Sequence, residues 1–152
     1  MTIRKATKTD YQIIVDFNLA LAKETEEKIL DRDILTKGVK YLLENPENGV
    51  YYLAEIDGNV VGQLMYTFEW SDWRCGLFYW IQSVYVDKNY RKQGVFSALY
   101  RKVKQICDTS ENSCGIRLYA EIENKVAHKT YLSIGMEQCH YNMFEYEKKV
   151  IS

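Results

Sequence analysis

Three cations and a glycine, Lys88, Arg91, Lys92 and Gly94, join a strand-like stretch to a helix-like one. Upstream, Ile81, Val84, Tyr85 and Val86 are β-branched or aromatic, which suits a buried strand. Downstream, Val95, Leu99, Val103 and Ile106 recur at helical spacing, with Ala98 beside them. A helix starting after Gly94 turns unpaired backbone N–H groups and the positive end of its dipole towards the cationic loop. That combination binds phosphate without reading a base or a sugar. The plainer reading is a strand-to-helix turn with solvated charges. A Walker loop needs Gly-Lys-Ser/Thr after four spacers and a dinucleotide fingerprint needs three glycines, and neither pattern is present.

A second constellation lies at Asn124, Ala127, Tyr131, Gly135 and Met136. Asn124 suits a helix cap and Gly135 a helix stop. Ala127 and Tyr131 are four residues apart and share a helix face, where the small alanine lets the helix approach a ligand. Taken alone, this is an ordinary amphipathic helix with a tyrosine on one face.

The elements that must position these residues follow from periodicity and turn chemistry. Thr2 to Ala6 reads as a strand, and Thr7 to Asp10 as a capping box before a helix marked by Ile13, Ile14, Phe17 and Leu21. Asp31 or Asp33 caps a second helix with Leu35, Val39, Leu42 and Leu43, and Asn45-Pro46 ends it. Strands at Val50 to Ile56 and Val60 to Trp70 flank the tight-turn signal Asp57-Gly58-Asn59, and Leu77 to Val86 completes an antiparallel meander. The helix from Val95 runs to about Cys107. A strand at Gly115 to Ile122 follows it, parallel to 77–86 by the right-handed crossover rule. A helix from Asn124 and a last strand over 138–147 close the chain. The expected fold is α+β, three-layered α/β/α, with a mixed and mostly antiparallel central sheet and helices on both faces.

The chain of 152 residues suits one domain with a real core. A net charge of −1 argues against nucleic acid and anionic membrane as partners. No apolar run is long enough to span a bilayer, and Met1 to Lys5 lacks the apolar core of a signal peptide, so a cytoplasmic protein is expected. Cys75, Cys107, Cys114 and Cys139 form no Cys-x-x-Cys pair, and His128 and His140 lie at no metal-ligand spacing. Reduced thiols and no metal are expected.

Arg91-Lys92-Gln93-Gly94-Val95-Phe96, after Val84-x-Val86, resembles the acyl-CoA-binding motif of the GNAT superfamily (Gcn5-related N-acetyltransferases), Arg/Gln-x-x-Gly-x-Gly/Ala. Lys88 stands where a proline is common, and Phe96 replaces the small third residue. Asn124 to Met136 is similar to the family's Asn-x-x-Ala-x-x-x-Tyr-x-x-x-Gly-Phe/Met segment at all five marked positions. The resemblance covers nearly the whole chain, although this chain has residues for little more than one final strand where the family commonly has two.

The resemblance implies an acyltransferase in which a primary amine attacks the thioester of acetyl-CoA directly. Strand 77–86 would splay from strand 115–122, and the backbone of Val84 and Val86 would pair with the pantetheine amides. A backbone N–H near Tyr85 would stabilise the oxyanion. Arg91, Lys92, Gln93, Gly94, Val95 and Phe96, with Ser97, would hold the pyrophosphate, and Asn124 the cofactor arm. Tyr131, a phenol with an ordinary pKa of roughly 10, would protonate the leaving thiolate. Glu69 or Glu121 would take the amine's proton, with Glu69 preferred for its place on the expected substrate side. Glu24, Glu26 and Glu27 and the cluster Glu69, Trp70, Asp72 and Trp73 suit a cationic acceptor through charge and cation–π attraction, and a solvated acidic helix end is the alternative. Trp70, Trp73, Phe78, Tyr79 and Trp80 suggest an enclosed pocket for a small amine. The rival readings are a protein lysine or N-terminal acetyltransferase and a non-catalytic acyl-CoA-binding domain. Homodimers are common among such relatives.

Overall fold

The computed structural model describes residues 1–149. They fall into two compact units, Met1–Tyr119 and the part from Ala120 onward. In the first, β1 (Thr2–Lys5) leads through a 3-10 turn into α1 (Tyr11–Glu26), and α2 (Arg32–Glu44) follows. The meander is β2 (Val50–Ile56), β3 (Asn59–Ser71) and β4 (Gly76–Val86); α3 (Val95–Thr109) and β5 (Ser113–Leu118) complete the unit. The sheet order is β1-β2-β3-β4-β5, antiparallel throughout except for the parallel pair β4–β5. This is the expected mixed sheet.

Local chemistry explains the boundaries. Asp31, rather than Asp33, caps α2: its Oδ1 accepts the N–H groups of Asp33 (2.9 Å) and Ile34 (3.1 Å). Asp57 and Gly58 both take positive φ (51° and 78°), which lets two residues reverse the chain between β2 and β3. Asp10 accepts the Thr7 N–H (2.7 Å) and receives both Nη groups of Arg4 (2.8 and 2.9 Å), while Arg4 Nε donates to Glu55 (2.8 Å). This clasp ties β1 to β2 and to the start of α1.

Helices cover both faces of the sheet. Leu53 and Gln63 oppose one another in the register, as do Ala54 and Gly62, and adjacent residues of a strand point to opposite faces. Leu53 packs with Ile14, Val15 and Val39, so one face lies under α1 and α2. On the other, a side chain at Gly62 would sit 2.8 Å from Val95 Cγ1, so the glycine lets α3 close on β3. Val95, Leu99 and Val103 of α3 are almost fully buried.

The second unit contains α4 (Lys125–Ser133), capped by Asn124 Oδ1 on the Ala127 N–H (3.1 Å) and followed by Gly135 at φ 97°. Two expectations are corrected. The fifth strand ends at Leu118 rather than Ile122. The strand expected over 138–147 is not formed: those residues are in no regular element, and Tyr141, Met143, Phe144 and Tyr146 are exposed. An aromatic-rich run names a segment able to be a strand, but it forms one only where a neighbour supplies hydrogen bonds.

Candidate functional site

The site is built around the far end of β4. β5 pairs with β4 from Leu77 to Ile81 and then stops at Leu118, whereas β4 continues to Val86. Among the described residues, Gln82 to Val86 therefore have β3 on one side and no strand on the other. Within this open stretch the β3–β4 register slips between Gln63 and Met65, and Ser83 takes φ 51°. The extra residue is a β-bulge, which bends the strand and re-aims the groups beside it. An open strand edge of this kind accepts an extended amide-bearing chain as an added strand.

A buried polar set supports the bulge, and the sequence reading missed it. Gln63 is wholly buried and its Nε2 donates to Ser83 O (2.9 Å). Asn18, buried on α1, donates to Ile14 O (3.0 Å) and Tyr51 Oη (3.1 Å). Gln63 Oε1 is buried with no partner. The available signal was a glutamine inside the apolar run Val60-Val61-Gly62-Gln63-Leu64.

Beyond Val86 the chain turns through Lys88–Tyr90 to Arg91. Arg91 Nε donates to Val86 O (2.9 Å), and its guanidinium stacks 5.5 Å from the centre of the Tyr85 ring. Lys92 and Gly94 both have positive φ (63° and 79°), and Gly94 is the N-cap of α3. The first turn of α3 and the positive end of its dipole face the loop that carries Lys88, Arg91 and Lys92. Gln93 donates back to Asn89 O (3.3 Å). Phe96, at the position expected to be small, is half-buried, with its ring 6.2 Å from Tyr100 one turn on. The residues present fit a thioester cofactor carrying a pyrophosphate: an open strand edge for amides, then a cationic loop and a helix N-terminus for phosphate.

Glu24, near the end of α1, meets this loop. Its Oε1 lies 3.0 Å from Arg91 Nη2 and 3.9 Å from Lys88 Nζ. The neighbouring Tyr85 hydroxyl and the two cations hold the Glu24 carboxyl below the usual range. Burial, aided by the carboxylate, pushes the Tyr85 phenol up to about 12. An open cleft of about 450 Å³ is lined by Leu21, Glu24 and Thr25 of α1, Val84 to Val86 of β4, and Arg91. A carboxylate with a depressed pKa is a poor base but a good anchor for a cation.

The expected acceptor residues are not all brought together. Glu24 shares the cleft with β4, and Glu26 is the last residue of α1. Glu69 pairs in register with Phe78, six residues from Val84 and roughly 20 Å along the strand. Its carboxylate is bound to Arg117 Nη1 at 2.8 Å. Trp70 and Asp72 lie at the same distal hairpin, and Trp70 and Trp73 are exposed (59% and 90%). Phe78 and Tyr79 are buried in the sheet, and Trp80 sits 6.0 Å from the Tyr119 ring. These aromatic residues therefore do not enclose the cleft beside Val84 to Val86, and the expectation of a pocket walled by them is corrected.

In the second unit, Tyr131 lies on α4, half-buried, and burial raises its phenol pKa. Asn124 spends its side-chain oxygen on the helix cap, which leaves the amide NH2 as the end able to donate. The backbone oxygen of Glu121 is bonded by His128 Nε2 (2.9 Å). Among the described residues, no group of His, Cys, Asp or Glu could hold a metal, the four cysteines are unbridged, and no helix is long and apolar enough to cross a membrane.

Comparison with known proteins shows the family and the fold. The model of the acetyltransferase (GNAT) family matches residues 14–136. A possible acetyltransferase from Clostridium difficile is similar over 97% of both chains, with 54% identity and a TM-score of 0.91. An aminoglycoside acetyltransferase from an uncultured soil metagenomic sample (21% identity, TM-score 0.76, 97% and 96% covered) shares the fold. So does glucosamine-6-phosphate N-acetyltransferase from Arabidopsis thaliana (20%, 0.72, 97% and 98%). No curated protein matches the sequence.

Proposed function

We propose the reaction from family and geometry together: this chain belongs to the acetyltransferase (GNAT) family, and β4 offers an open, bulged edge leading into a phosphate-binding loop. The reading is an N-acetyltransferase that moves the acetyl group of acetyl-CoA to a primary amine of a small cationic acceptor. The whole chain works as one catalytic domain in the cytoplasm, as a homodimer, and without a metal. The open stretch Gln82 to Val86 is the single observation that carries it.

Acetyl-CoA supplies an activated carbonyl on a thiolate leaving group. Val84 and Val86 offer backbone groups along the open edge for the pantetheine amides. A backbone N–H near Tyr85, beside the bulge at Ser83, would stabilise the negative charge developing on the carbonyl oxygen. Arg91, Lys92, Gln93 and the N–H groups of Val95 to Ser97 hold the pyrophosphate, which competes with Glu24 for the Arg91 guanidinium. Asn124 donates to the cofactor arm. Tyr131, a phenol protonated at neutral pH, would donate its proton to the departing sulfur.

Glu24 and Glu26 attract the protonated amine, and the depressed pKa of Glu24 suits attraction rather than proton removal. Glu69 is bound to Arg117 at the distant end of β4, so the ammonium would lose its proton to water, or to the other candidate Glu121, before it attacks. Trp70, Asp72 and Trp80 contact the acceptor only if it is long. A second reading, acetylation of an amine on a protein, is supported by the open cleft, which leaves room for a chain.

The test is a calorimetric titration with acetyl-CoA, followed by thiol release with a panel of amines. Saturable binding and amine-dependent thiol release are expected. Binding with no release for small amines or for peptide amines would make the protein a non-catalytic acyl-CoA binder. Absence of binding would overturn the reading altogether.

A further inference from the structure

We infer, resting on the acetyl-CoA reading above, that Gln63 is a positioning residue for the transfer. Its buried amide holds the Ser83 carbonyl, and this fixes the Val84 N–H as the donor to the thioester carbonyl oxygen. All the residues involved lie within the unit Met1–Tyr119.

The bulge is the one place in β4 where the ladder does not set the direction of a peptide. Gln63 pairs with Tyr85 and Met65 with Gln82, so Ser83 and Val84 together stand opposite the single residue Leu64. Two residues against one disrupt the regular hydrogen bonding. Ser83 has φ 51°, a left-handed conformation that a residue with a side chain keeps only where its surroundings fix it. Gln63 is the fixing group: its Nε2 donates to Ser83 O at 2.9 Å. A carbonyl can only accept, so the NH2 end of the amide faces it. The Ser83–Val84 peptide is trans, and a planar trans peptide points its C=O and its N–H in opposite directions. With Ser83 O turned to Gln63 on β3, the Val84 N–H is turned away from β3. That is the side which β5 leaves open, because its pairing with β4 ends at Ile81.

Stability does not account for this side chain. Gln63 is 0% exposed in the apolar run Val60-Val61-Gly62-Gln63-Leu64, and among the described residues its Oε1 has no partner. Burying a primary amide with one end unbonded is destabilising, and an apolar side chain of similar size would avoid the penalty. Such departures from a well-packed core are expected where a functional group must be held in place.

The remaining cofactor contacts are anchored by other bonds. Tyr85 resumes the ladder beyond the bulge, the Asp87 N–H donates to Val61 O (2.8 Å), and Arg91 Nε donates to Val86 O (2.9 Å). Loss of the Gln63 amide therefore frees the Ser83–Val84 peptide to rotate and leaves the phosphate loop where it is. Orientation of the carbonyl donor and affinity for the cofactor separate.

The test is infrared spectroscopy of bound acetyl-CoA isotopically labelled at the thioester carbonyl, with affinity read by calorimetry; it needs no acceptor amine. Gln63→Met keeps the length and loses the donor, and Gln63→Asn keeps the amide and loses the reach. Both variants are expected to fold by circular dichroism and to bind acetyl-CoA with wild-type affinity. Their carbonyl stretch should lie at higher frequency than in the wild-type complex, as for a carbonyl that has lost a hydrogen-bond donor. The same frequency in the wild type and either folded variant overturns the inference. So does a frequency change accompanied by an equal loss of affinity, or failure of both variants to fold, since Gln63 would then serve the stability of the sheet. A wild type that does not bind acetyl-CoA overturns the acetyl-CoA reading itself, and the inference with it.

Discussion

Gly94 separates the backbone chemistry of the phosphate loop from its charge. Its φ of 79° lies in the left-handed region, and a Cβ there would meet nothing within 4 Å. The cost of a side chain is therefore all backbone, about 1–2 kcal/mol for an ordinary L-residue and less for asparagine, which tolerates this conformation. At about 2–4 °C per kcal/mol for a chain of this size, Gly94→Ala should lower Tm by roughly 2–8 °C, and Gly94→Asn by less. That strain is present with and without ligand, so both variants should bind acetyl-CoA nearly as the wild type does. Gly94→Glu adds a carboxylate beside the pyrophosphate. At a separation of about 6 Å in water, each like-charge pair costs ~0.7 kcal/mol, so two phosphate charges weaken binding about tenfold relative to Gly94→Ala. The loss should shrink in 1 M salt, where the Debye length falls to about 3 Å. Calorimetry and thermal unfolding on the three variants read both quantities. Equal affinity in the Ala and Glu variants would refute the placement of the pyrophosphate, and an Ala variant as stable as the wild type would refute the assigned backbone strain.

Tyr131→Phe should lower kcat by about a hundredfold or more, the ordinary scale for losing a general acid, with acetyl-CoA affinity unchanged by calorimetry. Glu24→Gln frees Arg91 from a partly exposed ion pair worth about 0–1 kcal/mol, so acetyl-CoA should bind up to roughly fivefold tighter while the amine's KM rises. Weaker acetyl-CoA binding would mean that Glu24 holds Arg91 in its working pose. Glu69→Gln should leave the pH dependence of kcat/KM unaltered, and a lost ionisation in that profile would restore Glu69 as the base. The Arg4 clasp holds the Asp10 carboxyl at about 2 rather than 3.8, a difference worth about 2 kcal/mol. That stability is complete above pH 3.8 and lost as pH falls through 2, so urea unfolding of Asp10→Asn should show a deficit of about 2 kcal/mol at pH 7 that closes near pH 2.

Elements whose signals are local were legible in the sequence. Asp57-Gly58, Asn45-Pro46 and the Val95–Leu99–Val103 stripe fixed boundaries to within a residue or two, because turn chemistry and helical period act over a few neighbours. The strand–helix–strand order gave the parallel β4–β5 pair through the crossover rule, a constraint of topology rather than of local sequence. What was not legible depends on partners distant in the chain. Glu24 meets Arg91, and Glu69 meets Arg117, only after the sheet has formed. The bulge at Ser83 carries no glycine to announce it. Trp70 and Trp73 share a composition with pocket-forming indoles but sit at an exposed hairpin. Residues 138–147 have the aromatic composition of a strand, yet composition does not supply the neighbouring edge that a strand needs.

Acetyl-CoA is proposed to lie along the open edge of β4 and to end at the start of α3. Amide hydrogen exchange, resolved by residue, separates this placement from any other. Added acetyl-CoA should slow exchange at the amides of the open stretch Val84 to Val86 and at Val95, Phe96 and Ser97, while amides of β2 change little. Binding that leaves both of those groups unprotected would place the ligand elsewhere and contradict the account.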